Sequence, residues 1–395
     1  MTTTYTSSRR RRIGMSVAVG LATLAVVGGA VRPAWAGGSI SDRLQRDTDA
    51  IHALGVTGVQ ARVTTVDGRR IVTTSGVADV GTGRPVPSDG RFRIASTRKA
   101  FTATVALQLV GEHRLSLDDT VERWLPGVVQ GVELDGRLIT VRHLLQNTSG
   151  LHDDLPGYTS PAEYLEQRYD VHTREELVAR AMRHRPDFAP GTAWAYSNTG
   201  FILAGMLVER VTGRSLQQEI TDRIVRPLGL RDTTWPGTAP SLPRPHANAY
   251  ELFPTGELVD VTSQVPGDPD SIVSTTADLD RFFRALLGGR LLRPAQLAEM
   301  RRTVPVSADV EPIWPGGRYG LGLARRPLPC GGFYWGHDGG DAGYITVTGV
   351  TADGRRSAVV SMSSARGDSF DHLLQQQRAA DTLVVDALCA RPRSA

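Results

Sequence analysis

The chain of 395 residues contains one lysine, Lys99; the other 44 of its 45 basic side chains are arginine. A protein that uses arginine wherever a surface needs positive charge keeps a lysine for chemistry that arginine cannot do. Arginine stays protonated at any workable pH, whereas an amine can lose its proton and act as a base or activate a nucleophile. Cysteine is nearly as scarce, with only Cys330 and Cys389. Two cysteines cannot build a structural zinc site and the nine histidines show no HExxH pattern, so neither a metal nor a cofactor is expected. No segment interleaves aromatics with a basic stripe, which argues against nucleic acid as a partner. No internal repeat, low-complexity linker or charge block appears. The longest apolar run, Met15–Val31, holds three glycines and stops short of the ~20 residues that span a bilayer.

That run reads as the core of an export signal covering residues 1–36. Arg9 to Arg12 precede it, and Ala34-Trp35-Ala36 is a small-x-small cleavage site. An uncleaved anchor is the alternative, and the route, Sec or twin-arginine, stays open. The segment carries five arginines and no acids, so its removal takes the formal charge from +4 to −1. The pI of 9.3 therefore describes the precursor and gives no reason to expect a polyanionic partner. The mature protein is expected outside the cell, touching the membrane only through its signal. In that oxidising setting Cys330 and Cys389 are expected to form one disulfide.

Hydrophobic periodicity predicts a first helix over 41–54 and a hairpin of 59–65 with 71–77 around Asp67-Gly68. The middle is helical: a mostly buried helix after Ser96, then 141–146, 173–183 opened by the Thr173/Glu176 capping box, 200–211, 215–224 and 277–287. Strands return at 319–323, 333–337, 344–350 and 357–362, and 370–388 closes as a long helix. Strands at both ends around a helical centre predict an α/β (α+β) fold. Its antiparallel sheet is built from both termini, about 37–95 and 300–390, and flanked by helices, with a mostly helical lobe at about 96–299 inserted.

Three local patterns carry chemistry. Ser96 and Lys99, at i and i+3, place a hydroxyl and an amine on one helix face, one turn apart. Tyr196-Ser197-Asn198 lies in a loop just before a helix. His337-Asp338-Gly339-Gly340 ends an aromatic-rich strand. Together they resemble the Ser-x-x-Lys, Tyr-x-Asn and Lys/His-x-Gly signatures of the serine β-lactamase-like and penicillin-binding family. The tyrosine version is that of class C β-lactamases and Streptomyces-type D-alanyl-D-alanine carboxypeptidases. The flanking text Thr140 to Leu145, Thr148 to Leu151, Asn198 to Gly205 and Tyr319 to Gly322 fits as well, and the similarity runs from about Gly55 to Cys389.

The resemblance implies a β-lactamase/transpeptidase-like fold, with residues 37–390 as a serine hydrolase domain and 391–395 as a tail. It makes Ser96 the nucleophile, at the positive end of a helix dipole that favours developing negative charge. Lys99 takes the Ser96 proton, Tyr196 passes it to the leaving group, and Asn198 orients Lys99 or a substrate carbonyl. The N–H groups of Ser96 and Gly340 form the oxyanion hole, with Gly339 beside it. His337 stands where β-lactamases carry lysine, and the resemblance counts it among the catalytic residues that act on the substrate.

It further implies a monomer that forms an acyl-enzyme with small molecules or peptidoglycan peptides, β-lactams among them. D-alanyl-D-alanine carboxypeptidase activity leads, with esterase, D-aminopeptidase or β-lactamase activity as alternatives. A non-catalytic wall-binding homologue is the reading from another class, and three intact motifs argue against it. One departure concerns the substrate's terminal carboxylate. Many family carboxypeptidases bind it with hydroxyls where this chain has Asp338 and Gly340. Asp338 is expected either to face the cleft or, preferably, to turn away and pair with an arginine, leaving Arg325 or Arg326 as carboxylate binders.

Overall fold

The computed structural model describes residues 39–365 and 368–390. The expected export signal and the 391–395 tail lie outside the described residues. The first helix, Ile40–Ala53, opens on a capping box in which Ser39 and Asp42 satisfy each other's backbone N–H. The strands Gly58–Thr64 and Arg70–Asp79 follow as a hairpin, turned at Gly68 with a φ of 82°.

These two strands join a large antiparallel sheet built from both ends of the chain. Its order is Val304–Pro305, Arg318–Tyr319, Ala324–Pro327, Phe333–Gly336, Tyr344–Thr351, Ser357–Met362, Gly58–Thr64, Arg70–Asp79, Arg84–Pro85, with Gly339–Asp341 paired onto Tyr344–Thr351. The ends meet where Val59 faces Met362 and Thr64 faces Ser357. Strand alternation then builds two cores. Val59, Ala61, Val63, Val347 and Val360 pack against Leu44 and Ile51 of the first helix and Leu383 and Val384 of the last, Phe370–Cys389. Val350 and Val359, on the other face, join the helical core. There the helix Thr276–Leu287 stacks Phe282 on Phe101 of the helix Arg98–Gly111, ring centroids 3.7 Å apart. The latter helix is buried nearly all round, which makes it a rigid mount for Lys99. No helix among the described residues is long and apolar enough to cross a membrane.

Two elements depart from expectation. The expected strand 319–323 ends at Tyr319 and a new strand starts at Ala324. Between them Gly322 adopts a φ of 72°, and a Cβ on it would lie 2.5 Å from that of Ala103. The turn is set by contact with the Lys99 helix rather than by local strand propensity. The expected helix 215–224 is α-helical only over Leu216–Ile220 and widens to a π turn over Thr221–Val225. Pro227 follows and has no N–H to return to the Arg223 carbonyl, which interrupts the regular ladder there.

Cys330 and Cys389 are joined as a disulfide across 59 residues of sequence. It clips the end of the last helix to the loop preceding Phe333–Gly336. A loop of that length corresponds to about 4 kcal/mol of chain-entropy stabilisation. The denatured, unreduced protein is expected to show no titratable thiol with a thiol reagent; finding two would remove the bond from this account.

Candidate active site

Ser96 sits on the turn Ala95–Thr97, which runs straight into the helix Arg98–Gly111. Ala95 holds a φ of 47°, a left-handed conformation that costs a residue with a Cβ about 1–2 kcal/mol. The surroundings hold the turn in place. The Thr97 N–H donates to the Ile94 carbonyl at 3.1 Å, and the Thr97 hydroxyl donates to the His337 carbonyl at 3.0 Å. The helix then brings Lys99 back over Ser96. Its Nζ donates to Ser96 Oγ at 2.8 Å and to Asn198 Oδ1 at 2.5 Å, and lies 4.8 Å from the centre of the Tyr196 ring.

Tyr196 and Asn198 are placed by a helix start. Ser197 caps the helix Asn198–Thr212 by accepting the Gly200 N–H at 3.3 Å, so the residues on either side of the cap face the nucleophile. Gly339 and Gly340 come from the far end of the chain. A Cβ on Gly339 would lie 2.2 Å from the Ile94 carbonyl oxygen, so only glycine lets this strand rest on the Ser96 turn. A Cβ on Gly340 would meet open space, and Gly340 lines the same cleft as Ser96 and Asn198. That cleft holds about 470 Å³. Leu155, Tyr158, Phe253 and Ile345 give it apolar walls, and Asp341 lies beside Gly340.

Burial sets the proton inventory. Lys99 is 1% exposed. Its ammonium is pushed down to about 7, by desolvation first and then by the Arg98 charge, against the opposing pull of Asp268 and Asp153. Burial raises the Tyr196 phenol, with its hydrogen bond to the Ser96 hydroxyl opposing the rise. The site therefore holds an amine poised near neutrality beside a phenol that keeps its proton.

His337 takes a different place from the one expected of a group acting on substrate. Its Nδ1 lies 2.7 Å from the Asp338 carbonyl, which can only accept, so Nδ1 carries the proton. Its Nε2 then accepts from the Tyr319 hydroxyl at 2.9 Å. Both ring nitrogens are spent, the side chain is buried, and desolvation followed by the Lys99 charge pushes it down to about 3. His337 is a neutral positioning group behind Tyr196, with ring centroids 6.4 Å apart.

Asp338, expected as a possible substrate contact, is turned off the cleft. Its carboxylate accepts from Arg326 at 3.0 Å, Trp314 Nε1 at 2.9 Å, Gln377 at 3.1 Å and the Thr348 N–H at 3.3 Å. This agrees with the preferred expectation of an arginine partner and corrects its corollary. Arg326 is 3% exposed and committed to Asp338 and Asp381, so it cannot bind a substrate carboxylate. Arg325 lies over the Phe333 ring, 4.1 Å from its centre, and does not line the cleft.

Sequence reasoning missed the roles of four residues. Asp153 accepts both the backbone N–H of Asn198, at 2.9 Å, and its side-chain Nδ2, at 2.8 Å. It stands two residues beyond the Thr148-to-Leu151 text, where nothing local distinguishes it from Asp154. Asp268 and Asp270 hold the buried Arg98 next to the site. Tyr319 was legible as flanking text without any role attached.

Comparison with known proteins agrees with this geometry. Residues 42–383 match the β-lactamase family. Penicillin-binding protein 4 of Amycolatopsis lactamdurans is 32% identical over 79% of this chain and 82% of its own length. Esterase EstB of Burkholderia gladioli is 29% identical over 66% of this chain and 75% of its own. Among solved structures, a D-stereospecific amidohydrolase from Streptomyces sp. is 40% identical, with a TM-score of 0.77 over 86% of this chain and 98% of that one. The D-amino acid amidase of Ochrobactrum anthropi SV3, complexed with L-phenylalanine amide, is 27% identical with a TM-score of 0.76 over 89% and 99%. With a Ser-Lys-Tyr centre on an antiparallel sheet closed by both termini, this chain belongs to the β-lactamase family of active-site serine hydrolases.

Proposed function

We propose that the enzyme is an exported amidohydrolase that cleaves small aminoacyl amides or esters carrying a free amino group, through an acyl-enzyme on Ser96. Neutral Lys99 takes the Ser96 proton as Oγ attacks the substrate carbonyl. The oxyanion forms toward the N–H groups of Ser96 and Gly340. Collapse expels the amine, which receives its proton through Tyr196, and water then hydrolyses the ester with the same groups acting in reverse. The disulfide supports export, because such bonds persist in oxidising compartments.

The observation that carries the substrate reading is the arrangement after His337. A terminal carboxylate would find neither a hydroxyl nor a free cation there: Asp338 is turned back onto Arg326, Gly340 has no side chain, and the one arginine among the described cleft-lining residues, Arg98, is already matched by Asp268 and Asp270. Asp341 stands next instead, lining the cleft and accepting the Ala342 N–H at 2.8 Å; burial pushes its carboxyl up, with the Arg93 charge pulling it back down. A carboxylate in that place favours an ammonium and repels an acid. The D-stereospecific amidohydrolase and D-amino acid amidase among the similar structures support D-aminoacyl amides as the first substrates to try.

D-alanyl-D-alanine carboxypeptidase activity is the second reading. It is favoured by the withdrawal of Asp338, which removes one repulsive charge, and by the relation to penicillin-binding protein 4. Measured kcat/KM for D-phenylalanine amide should exceed that for its N-acetyl form by tenfold or so, about 1.4 kcal/mol, and Asp341→Asn should erase most of the difference. Faster cleavage of a peptide ending in a free D-Ala-D-Ala carboxylate would return the assignment to the carboxypeptidase.

A further inference from the structure

We propose that Asp153 is a positioning residue for acylation: it holds the Asn198 amide with Oδ1 toward Lys99 and sets a negative charge behind the base. An asparagine amide can face a lysine in two ways, and the two ends differ in kind, one accepting and one donating. Burial pushes the Asp153 carboxyl up, while the Lys99 charge and the N–H groups of Asn198 and Thr199 pull it down; ionised, it can only accept. By taking the backbone N–H of Asn198 at 2.9 Å on one oxygen and Nδ2 at 2.8 Å on the other, it leaves Oδ1 as the end that meets Lys99 Nζ, at 2.5 Å. The flipped amide would set its oxygen against the carboxylate and its NH₂ against the amine, losing both bonds. With Oδ1 and Ser96 Oγ each taking an Nζ hydrogen, the lysine is held over the nucleophile.

The charges around Lys99 give Asp153 its second part. Arg98 opposes the ammonium, while Asp268 and Asp153 favour it, and His337 and Tyr196 face it uncharged. Asp268 exerts the larger pull of the two, and its hydrogen bond to Arg98 sets that pull against the guanidinium that opposes the ammonium. Among the described residues Asp153 has no arginine partner; it accepts from the backbone and side-chain N–H groups of Asn198 and from the Thr199 N–H. Removing its charge should therefore make Lys99 easier to deprotonate while removing the clamp on Asn198. The two effects pull apart in a measurable way: a slower reaction at the plateau, with a base that works at lower pH.

The test follows inactivation by a fluorophosphonate probe, which needs only an activated Ser96 and no particular substrate. A wrong substrate assignment would thus leave it untouched. Asp153→Asn is expected to slow inactivation about tenfold at high pH and to move the acidic limb of its pH profile down by about half a unit or more. In a double-mutant cycle with Asn198→Ala the plateau effects should fall well short of additive, because Asp153 acts through that amide. An unmoved limb, or additive effects, would overturn the proposal and leave Asp153 a residue of the fold alone. If Asp153→Asn does not fold, Asp153→Ser carries the same expectations under the same two readouts.

Discussion

Lys99→Arg should abolish acylation while leaving the protein folded, with a loss of roughly 10³-fold or more in kcat/KM. The substitution keeps a positive charge over Ser96 and can still donate toward Ser96 Oγ and Asn198 Oδ1. It removes the one property that matters, an amine that gives up its proton near neutral pH. Burial has pushed the Lys99 ammonium down to about 7, so a substantial neutral fraction exists in the working range. The wild-type kcat/KM should accordingly rise with pH through about 7, because the active form of a base is its deprotonated one. The variant should show no such limb. Burst acylation by a chromogenic ester, read beside thermal unfolding, checks this. A burst of normal amplitude and rate from Lys99→Arg would exclude Lys99 as the base.

Arg326→Met should destabilise the fold by about 3–5 kcal/mol, since removing one member of a buried ion cluster strands the others. Arg326 is 3% exposed and bonds Asp338 at 3.0 Å and Asp381 at 2.7 Å, linking the His337 strand to the last helix. The defect should also depend on pH. In the wild type Asp381 is already raised to about 6, by burial first and by Asp338 in part, with Arg326 pulling the other way. A carboxyl whose folded value lies above its unfolded one costs nothing below about 4 and takes stability away as pH rises through the folded value. Without Arg326 that folded value rises further, so the variant should lie nearest wild type around pH 4 and fall behind as pH increases. The triple change Arg326→Met, Asp338→Asn, Asp381→Asn should recover much of the loss at neutral pH. Denaturant unfolding at several pH values decides the matter; a deficit under about 1 kcal/mol at neutral pH would mean that the cluster stabilises little.

The sequence by itself determined whatever depends on residues a few positions apart. Ser96 and Lys99 were legible as a pair because one helical turn brings i and i+3 together. The Thr173/Glu176 capping box and the Asp67-Gly68 turn announced themselves in the same way, by local hydrogen bonding and backbone freedom. The cysteine pair had one possible solution, and strands at both ends around helices pointed to a sheet closed by the termini.

Tertiary structure decided what those groups meet. Asp338 follows His337 directly, yet it turns toward Arg326, Trp314 and Gln377, the last from a helix that reaches the strand only in the folded chain. Asp153 acquires its place beside Asn198, 45 residues on, and its neighbour Asp154 pairs with Arg180 instead. His337 reads in sequence as a titratable group in the middle of a motif. Buried against Tyr319 and near the Lys99 charge, it becomes a neutral support, because protonation state follows desolvation and neighbouring charge, and neither exists until the chain has packed.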